Sequence, residues 1–291
     1  MTKNIVIGGG PSGLIWALYH PEYVVFTDKI GGQFNAPFQL GPKYLHKTEY
    51  TEKFLKDLNI FGEVNTKIVK VGFFYDGKIN PKNTEENRKL YFEKTRGLSD
   101  TVVYKSSMSE GNEEFEAFDI DIEDIIKHIY QKIKSRVIVS KVSKVDMVFK
   151  EVITENATYP FDNLVVTIPK PIFCRMIEQE EEAKQFVSYP TTFIRSDIKG
   201  GLGEFDYVYF SQKETPFHRV SKIPNGEYCF EYKGDDVEKV ETEIDRFVLK
   251  IGQLVQRKDT ITYPQYVKFL GRYANWKHSI KMKEVLEETL S

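Results

Sequence analysis

The stretch Asn4–Gly13, NIVIGGGPSG, constrains this chain more than any other. Asn4–Ile7 is a short apolar run rich in β-branched residues, the composition of a parallel strand buried on both faces. Gly8, Gly10 and Gly13 then form G-x-G-x-x-G around Pro11 and Ser12, and Leu14–His20 continues as a helix. Tyr23–Thr27 reads as a second buried strand and ends at the acidic Asp28. Each position has a physical task. Gly8 permits the tight turn, Gly10 lets the backbone approach a pyrophosphate, and Gly13 lets helix and strand pack closely. Free N–H groups at the helix start attract the diphosphate, and Asp28 accepts hydrogen bonds from a ribose. Strand, glycines, helix, strand and acid, in that order and spacing, point to dinucleotide binding.

The chain has 291 residues, 41% of them hydrophobic, which suffices for one large or two intimately joined domains. A formal charge of −2 argues against a general polyanion-binding surface, although a local basic groove would escape that test. Cys174 and Cys229 lack metal-ligand spacing and read as two reduced, buried thiols of a cytoplasmic protein. The first strand begins within four residues, leaving no room for a signal peptide, and no apolar run reaches the roughly 18 residues of a membrane span. Phe and Tyr, 21 and 17 in number, suit a flat-ring ligand and a β-rich core equally.

After Asp28 comes Lys29-Ile30-Gly31-Gly32-Gln33, a second glycine pair directly behind the ribose acid. This pattern resembles that of the two-dinucleotide-domain flavoproteins: amine oxidases, protoporphyrinogen oxidases and UDP-galactopyranose mutases. Gln33 stands where the family usually carries arginine. Phe38–His46 is similar to a further family element, which implies that Gly41 lies against a flavin. Tyr159–Pro169 resembles the return strand that closes the nucleotide-binding sheet, and the resemblance implies that Val139 or its neighbours lie near the adenine. Gly271-Arg272-Tyr273-Ala274-Asn275-Trp276 resembles the family's G-R-x-A element before a closing helix, Met282–Leu290. There the resemblance implies that Gly271, Arg272 and Trp276 hold the cofactor, and that Lys281 and Met282 open a helix aimed at the flavin O2.

Between these motifs, Thr48–Leu58 and Ile120–Ile133 have helical spacing, and Val69–Ile79 reads as a hairpin turning at Asp76-Gly77. Val137–Val139 reads as a strand, Lys144–Tyr159 as a meander, and Pro171 starts a helix. Pro81–Phe118 is polar and weakly periodic, and reads as a shortened lid or a solvated loop; Lys94, Arg96 and Lys105 could meet phosphate there. Ile177–Lys184 reads as a solvated acidic helix face. Period-two patterning marks strands at Thr192–Ser196, Tyr207–Phe210, His218–Ser221 and Tyr228–Glu231, and Asp236–Gln256 reads as an amphipathic helix. Asp206–Ser221 resembles the strand beside the substrate in mutases and protoporphyrinogen oxidases, which makes Arg219, Tyr209 and His218 the catalytic candidates, with Tyr207 beside them.

The expected fold is α/β: a Rossmann-like FAD-binding domain with an inserted antiparallel-sheet substrate domain. Residues 1–79, 119–187 and 266–291 would form the FAD-binding parts, 80–118 a short lid insertion, and 188–265 an antiparallel sheet plus a helix. The cofactor expected is FAD, with no metal. Three functions stay open. The first is amine-oxidase-like oxidation of a C–H beside nitrogen, by an oxidase or lyase. Its substrate is a small amine or one attached to a macromolecule, such as an amino-acid adduct of a hypermodified phage DNA base, though no nucleic-acid motif demands that partner. The second is mutase-like, non-redox catalysis on a nucleotide sugar, and the third a non-catalytic FAD-binding protein.

Overall fold

The computed structural model describes residues 3–96, 114–198, 201–256 and 260–291. The apolar run Asn4–Ile7 is β1, the centre of a five-stranded parallel sheet. β2 (Tyr23–Thr27) and then β7 (Val137–Val139) lie on one side of it. On the other lie β11 (Asn163–Val166) and β17 (Val267–Phe269). Successive side chains of β1 serve different layers, as the two-residue strand period dictates. Val6 joins Val25 and Val165 against the helices α1 (Pro11–Tyr19), α2 (Glu49–Asp57), α4 (Ile122–Ile133) and α7 (Met282–Leu290). Ile5 and Ile7 face the opposite layer. That layer is the meander β8 (Val142–Asp146), β9 (Glu151–Thr154) and β10 (Thr158–Pro160), together with α5 (Lys170–Met176).

α4 shows how local signals set an element. Asp121 caps it by accepting from the Glu123 amide, and Ile122, Ile125, Ile126, Ile129 and Ile133 form the buried stripe. α2 begins similarly, with Thr48 and Thr51 capping each other.

The second sheet has nine strands. Its path runs β16 (Glu243–Gln256), β12 (Val187–Ser196), β15 (Tyr228–Lys233), β14 (Phe217–Lys222), β13 (Tyr207–Phe210), β4 (Thr66–Tyr75), β6 (Glu114–Phe118) and β3 (Leu45–His46). β5 (Lys78–Asn80) pairs with β4, and the β13–β4 pairing alone is parallel. The hairpin expected at Asp76-Gly77 is therefore part of this larger sheet.

Three expectations are corrected. Asp236–Gln256 contains no helix: Glu243–Gln256 is a 14-residue strand registered on β12, with Phe247 opposite Phe193 and Val248 opposite Thr192. Its β-branched and aromatic residues suit a sheet, and Gly252 sits where a side chain would overlap Thr191. Helical spacing was present in the sequence, but cross-strand pairing decided the outcome. Second, the segment after Pro81 carries a helix, α3 (Glu85–Arg96). Its buried stripe is Asn87, Tyr91, Phe92 and Thr95, half of it polar, which hid the period. Those polar groups are satisfied: the Asn87 amide donates to Asn83, Ser211 donates to the Asn87 carbonyl, and Thr95 donates to the Tyr91 carbonyl. Third, the acidic run at 177–184 includes the short helix α6 (Glu180–Ala183), in which Glu182 is buried, not solvated. Its carboxylate accepts from the amide and hydroxyl of Thr260.

Both cysteines are buried free thiols, and burial pushes the Cys229 thiol up in pKa. Among the described residues, no helix is long and apolar enough to cross a membrane.

Candidate functional site

The glycine loop follows β1 at the carboxyl edge of the parallel sheet, where β2 and β11 diverge on either side. This is the switch point at which open α/β sheets form a crevice. Gly8 turns the chain at φ +116°, and its amide donates to the Phe26 carbonyl at 2.8 Å. A side chain at Gly13 would overlap the Gly8 carbonyl, so helix and strand touch through backbone alone. Gly10 is different: a Cβ there would meet nothing within 4 Å, and it caps α1 without any side-chain acceptor. Pro11 and Ser12 open the helix. Its first amides therefore point at an open face carrying the positive end of the helix dipole.

Two distant segments complete this cradle. Gly31 donates to the Gly9 carbonyl at 2.8 Å, and a Cβ on Gly32 would stand 3.2 Å from the Gly10 Cα. Both adopt positive φ, +87° and +56°. At the other end of the chain, Gly271 has φ +88° and lies so close to Ser12 that a side chain would overlap its hydroxyl. The Tyr273 hydroxyl donates to Gln33 at 2.6 Å, so Gln33 ties two of the three segments together. Asp28 and Lys29 are exposed beyond the carboxyl end of β2. Beside them on β7, Val139 is an apolar residue 61% exposed, a platform at the strand end.

The C-terminal segment brings in cations. Arg272 donates from Nε to the Ile280 carbonyl at 3.1 Å and, among the described residues, has no carboxylate at ion-pair distance. Burial, with Arg219 nearby, lowers its pKa. Lys281 precedes α7, and its pKa is also lowered, first by burial and then by Lys283. Its Nζ lies 3.4 Å from His46 Nε2; burial and the charge of Lys281 push His46 down to about 4, so its ring is a neutral acceptor near pH 7. The His46 ring stacks on Phe115, with centroids 4.1 Å apart. Met282, at the start of α7, packs on the helical core. Trp276 is placed elsewhere. It is 4% exposed, in a core cluster with Cys174, Ala183, Phe186 and Leu254.

The nine-stranded sheet brings Arg219 near this cradle with Tyr209 and Tyr207 beside it, and Gly41 joins them from the loop before β3. Arg219 makes a two-pronged ion pair with Glu231, Nε to Oε1 at 2.6 Å and Nη2 to Oε2 at 2.7 Å. Glu231 holds the guanidinium pKa well above its ordinary value against the effect of burial. The guanidinium lies 5.6 Å from the Tyr209 ring centre, and Tyr209 packs against Phe73, Tyr91 and Tyr207. Gly41, at φ +69°, backs directly onto the Glu231 carboxylate. His218 is 1% exposed behind that carboxylate, edge-on to Tyr91, and so is placed behind the wall of the site. Sequence reading missed Glu231; its signal is positional, an acid directly opposite an arginine on paired strands.

Lys94, expected to meet phosphate, donates instead to the main-chain carbonyls of Phe210, Gln212 and Phe217 at 3.1, 2.7 and 2.7 Å. Burial pushes its pKa down to about 8, and it clamps α3 to the β13–β14 turn. The side chain of Arg96 and all of Lys105 lie outside the described residues. Among the described residues, no group of His, Cys, Asp and Glu could hold a metal ion.

No protein-family model matches the chain, and no curated protein matches it in sequence. Solved structures do match in fold. Reduced UDP-galactopyranose mutase aligns over 100% of this chain and 92% of its own, with TM-score 0.72 and 13% identity. A putrescine oxidase redesigned in its cofactor binding aligns over 99% and 98%, with TM-score 0.64 and 9% identity. An oxidoreductase from Methanosarcina mazei aligns over 99% of both chains, with TM-score 0.65 and 12% identity. The fold is shared; the sequence is not. The Rossmann-like α/β architecture expected from the motifs is thus that of these oxidoreductases and mutase, from end to end of the chain.

Proposed function

We propose that this chain is an FAD-dependent flavoenzyme of amine-oxidase type, oxidising a C–H bond beside nitrogen. One observation carries the reading. Three glycine segments, at 8–13, 31–32 and 271, converge on a single face left open at Gly10, with Arg272 nearby, which has no carboxylate at ion-pair distance among the described residues. That face fits a dinucleotide. Gly10 leaves room for the diphosphate, the start of α1 and Arg272 supply positive charge, Asp28 is free to accept from a ribose, and Val139 offers an apolar surface for adenine. FAD held on that face would supply the hydride-accepting chemistry, which is the cofactor's own.

The chain's own residues bind and orient. Tyr209 and Tyr207 supply an aromatic wall, and Arg219, neutralised by Glu231, a fixed donor at the side facing Arg272. The mutase-like alternative needs cations free to hold a substrate diphosphate. Two candidates for that task are engaged elsewhere: Arg219 by Glu231, and Lys94 by three carbonyls. This favours the oxidase reading, with the substrate a small amine or an amine carried by a larger molecule.

The test is the visible spectrum of the purified protein, followed by anaerobic reduction and chromatography of the released cofactor. A two-banded flavin spectrum, free FAD on denaturation and rapid reoxidation in air are expected. A long-lived reduced flavin would shift the reading to mutase-like chemistry. A colourless protein that FAD cannot reconstitute would refute the flavoenzyme.

A further inference from the structure

We propose that Glu231 is a positioning residue that neutralises Arg219 and fixes its guanidinium beside Gly41 and over Tyr209, leaving Arg272 and Lys281 as the uncompensated cations of the site. The inference rests on the flavoenzyme reading above. The pair is asymmetric. The Glu231 side chain is 1% exposed, whereas that of Arg219 keeps 23%, so the arginine faces a ligand and the carboxylate acts through it. Strand register creates the contact, because Arg219 and Glu231 are direct partners on β14 and β15.

The surroundings of the carboxylate are equally specified. A β-bulge between Phe217 and Arg219 brings His218 to the same carboxylate, with Nε2 3.8 Å from Oε2, although neighbouring strand residues ordinarily face opposite ways. Gln253 reaches from β16 to within 3.5 Å of His218. Gly41 closes the remaining side with no space for a methyl group. A buried carboxylate so enclosed is tolerable only while its cation stays in place. Arg272 and Lys281, by contrast, have no carboxylate at ion-pair distance among the described residues; their acceptors are a carbonyl and a neutral imidazole.

Sulfite provides a probe of local charge that needs no substrate. It adds through its sulfur lone pair to N5 of an oxidised flavin, giving an anionic adduct that positive charge stabilises. In the FAD-loaded protein, Glu231→Gln unmasks Arg219, and sulfite should bind on the order of tenfold more tightly, with a higher flavin midpoint potential. The double variant Arg219→Gln/Glu231→Gln restores the charge balance and should lie near wild type. If Glu231→Gln lowers thermal stability but leaves sulfite affinity and potential unchanged, Glu231 is only structural and the proposal fails. Should that single variant not accumulate, the double variant decides, since a sulfite affinity far from wild type contradicts charge balance. A wild-type protein that takes up no FAD defeats the flavoenzyme reading itself, a separate failure.

Discussion

The two halves of the site are built by different means. The glycine cradle is backbone: turns at positive φ, amides at a helix start, and close approaches that only glycine allows. The wall opposite is side chain: Arg219 held by Glu231, and Tyr209 packed among rings. Backbone sites tolerate almost no change at their glycines but ask little of the rest of the sequence. Side-chain sites depend on which strand lies opposite which. The comparison teaches where to expect a stable recognition of one cofactor, and where a fold can change its chemistry.

The largest effect should come from Gly10→Val. Its φ of −76° and ψ of 175° suit any residue, and its Cβ direction is open, so the protein should fold. The valine would fill the space for the diphosphate, and FAD binding should be lost, as read by absorbance after reconstitution. Gly13→Val makes the contrast: its side chain overlaps the Gly8 carbonyl, and folding itself should fail. A yellow, saturated Gly10→Val protein would remove the cradle from the argument.

Arg272→Ala comes next. A charge-assisted contact to a phosphate is worth roughly 1.5–3 kcal/mol, so FAD affinity should fall by about ten- to a hundredfold. The unliganded protein should lose little stability, because Arg272 is a desolvated cation with no carboxylate partner among the described residues. A fall in melting temperature without a loss of FAD affinity would make Arg272 a structural residue.

What the sequence revealed follows the same division. Gly31-Gly32 and Gly271-Arg272 are legible only by resemblance, since their contacts to Gly9, Gly10 and Ser12 lie elsewhere in the chain, whereas Gly8 to Asp28 is legible because strand, glycines, helix and acid lie in one stretch. α4 and α7 are legible for the same reason, since cap and stripe lie in one segment. Glu231 was not, because an acid in YCFEYK acquires meaning only when Arg219 is placed opposite it. The segment 236–256 carries Val237, Val240, Ile244, Phe247, Val248 and Ile251 at helical spacing, and only the pairing with β12 decides between the periods. α3 was hidden by Asn87 and Thr95, polar residues whose partners lie in its own helix, at Asn83 and in Ser211. Trp276 belongs to a legible motif and still packs into the core, so a motif's outline does not assign every member a ligand.

Gly252→Ala sharpens the side-chain half through its sign. In an exposed helix the change would stabilise by about 1 kcal/mol. In β16 the new methyl meets Thr191, and overpacking there should cost roughly 1–3 kcal/mol. Chemical denaturation distinguishes the two, and a stabilised variant would contradict the strand.

The pH-dependent effect lies where the halves meet, at His46. Burial and Lys281 lower its folded pKa to about 4, against 6.5 for an unperturbed ring. The unfolded chain therefore binds the extra proton first as pH falls. Stability contributed by neutral His46 is complete above the unfolded value and drains away between about 6.5 and 4. Wild type should thus lose more melting temperature between pH 7 and pH 4.5 than His46→Gln, whose amide cannot titrate. Equal losses would mean that the His46 ring is not desolvated beside Lys281, and that the cationic edge of the cradle is open to water.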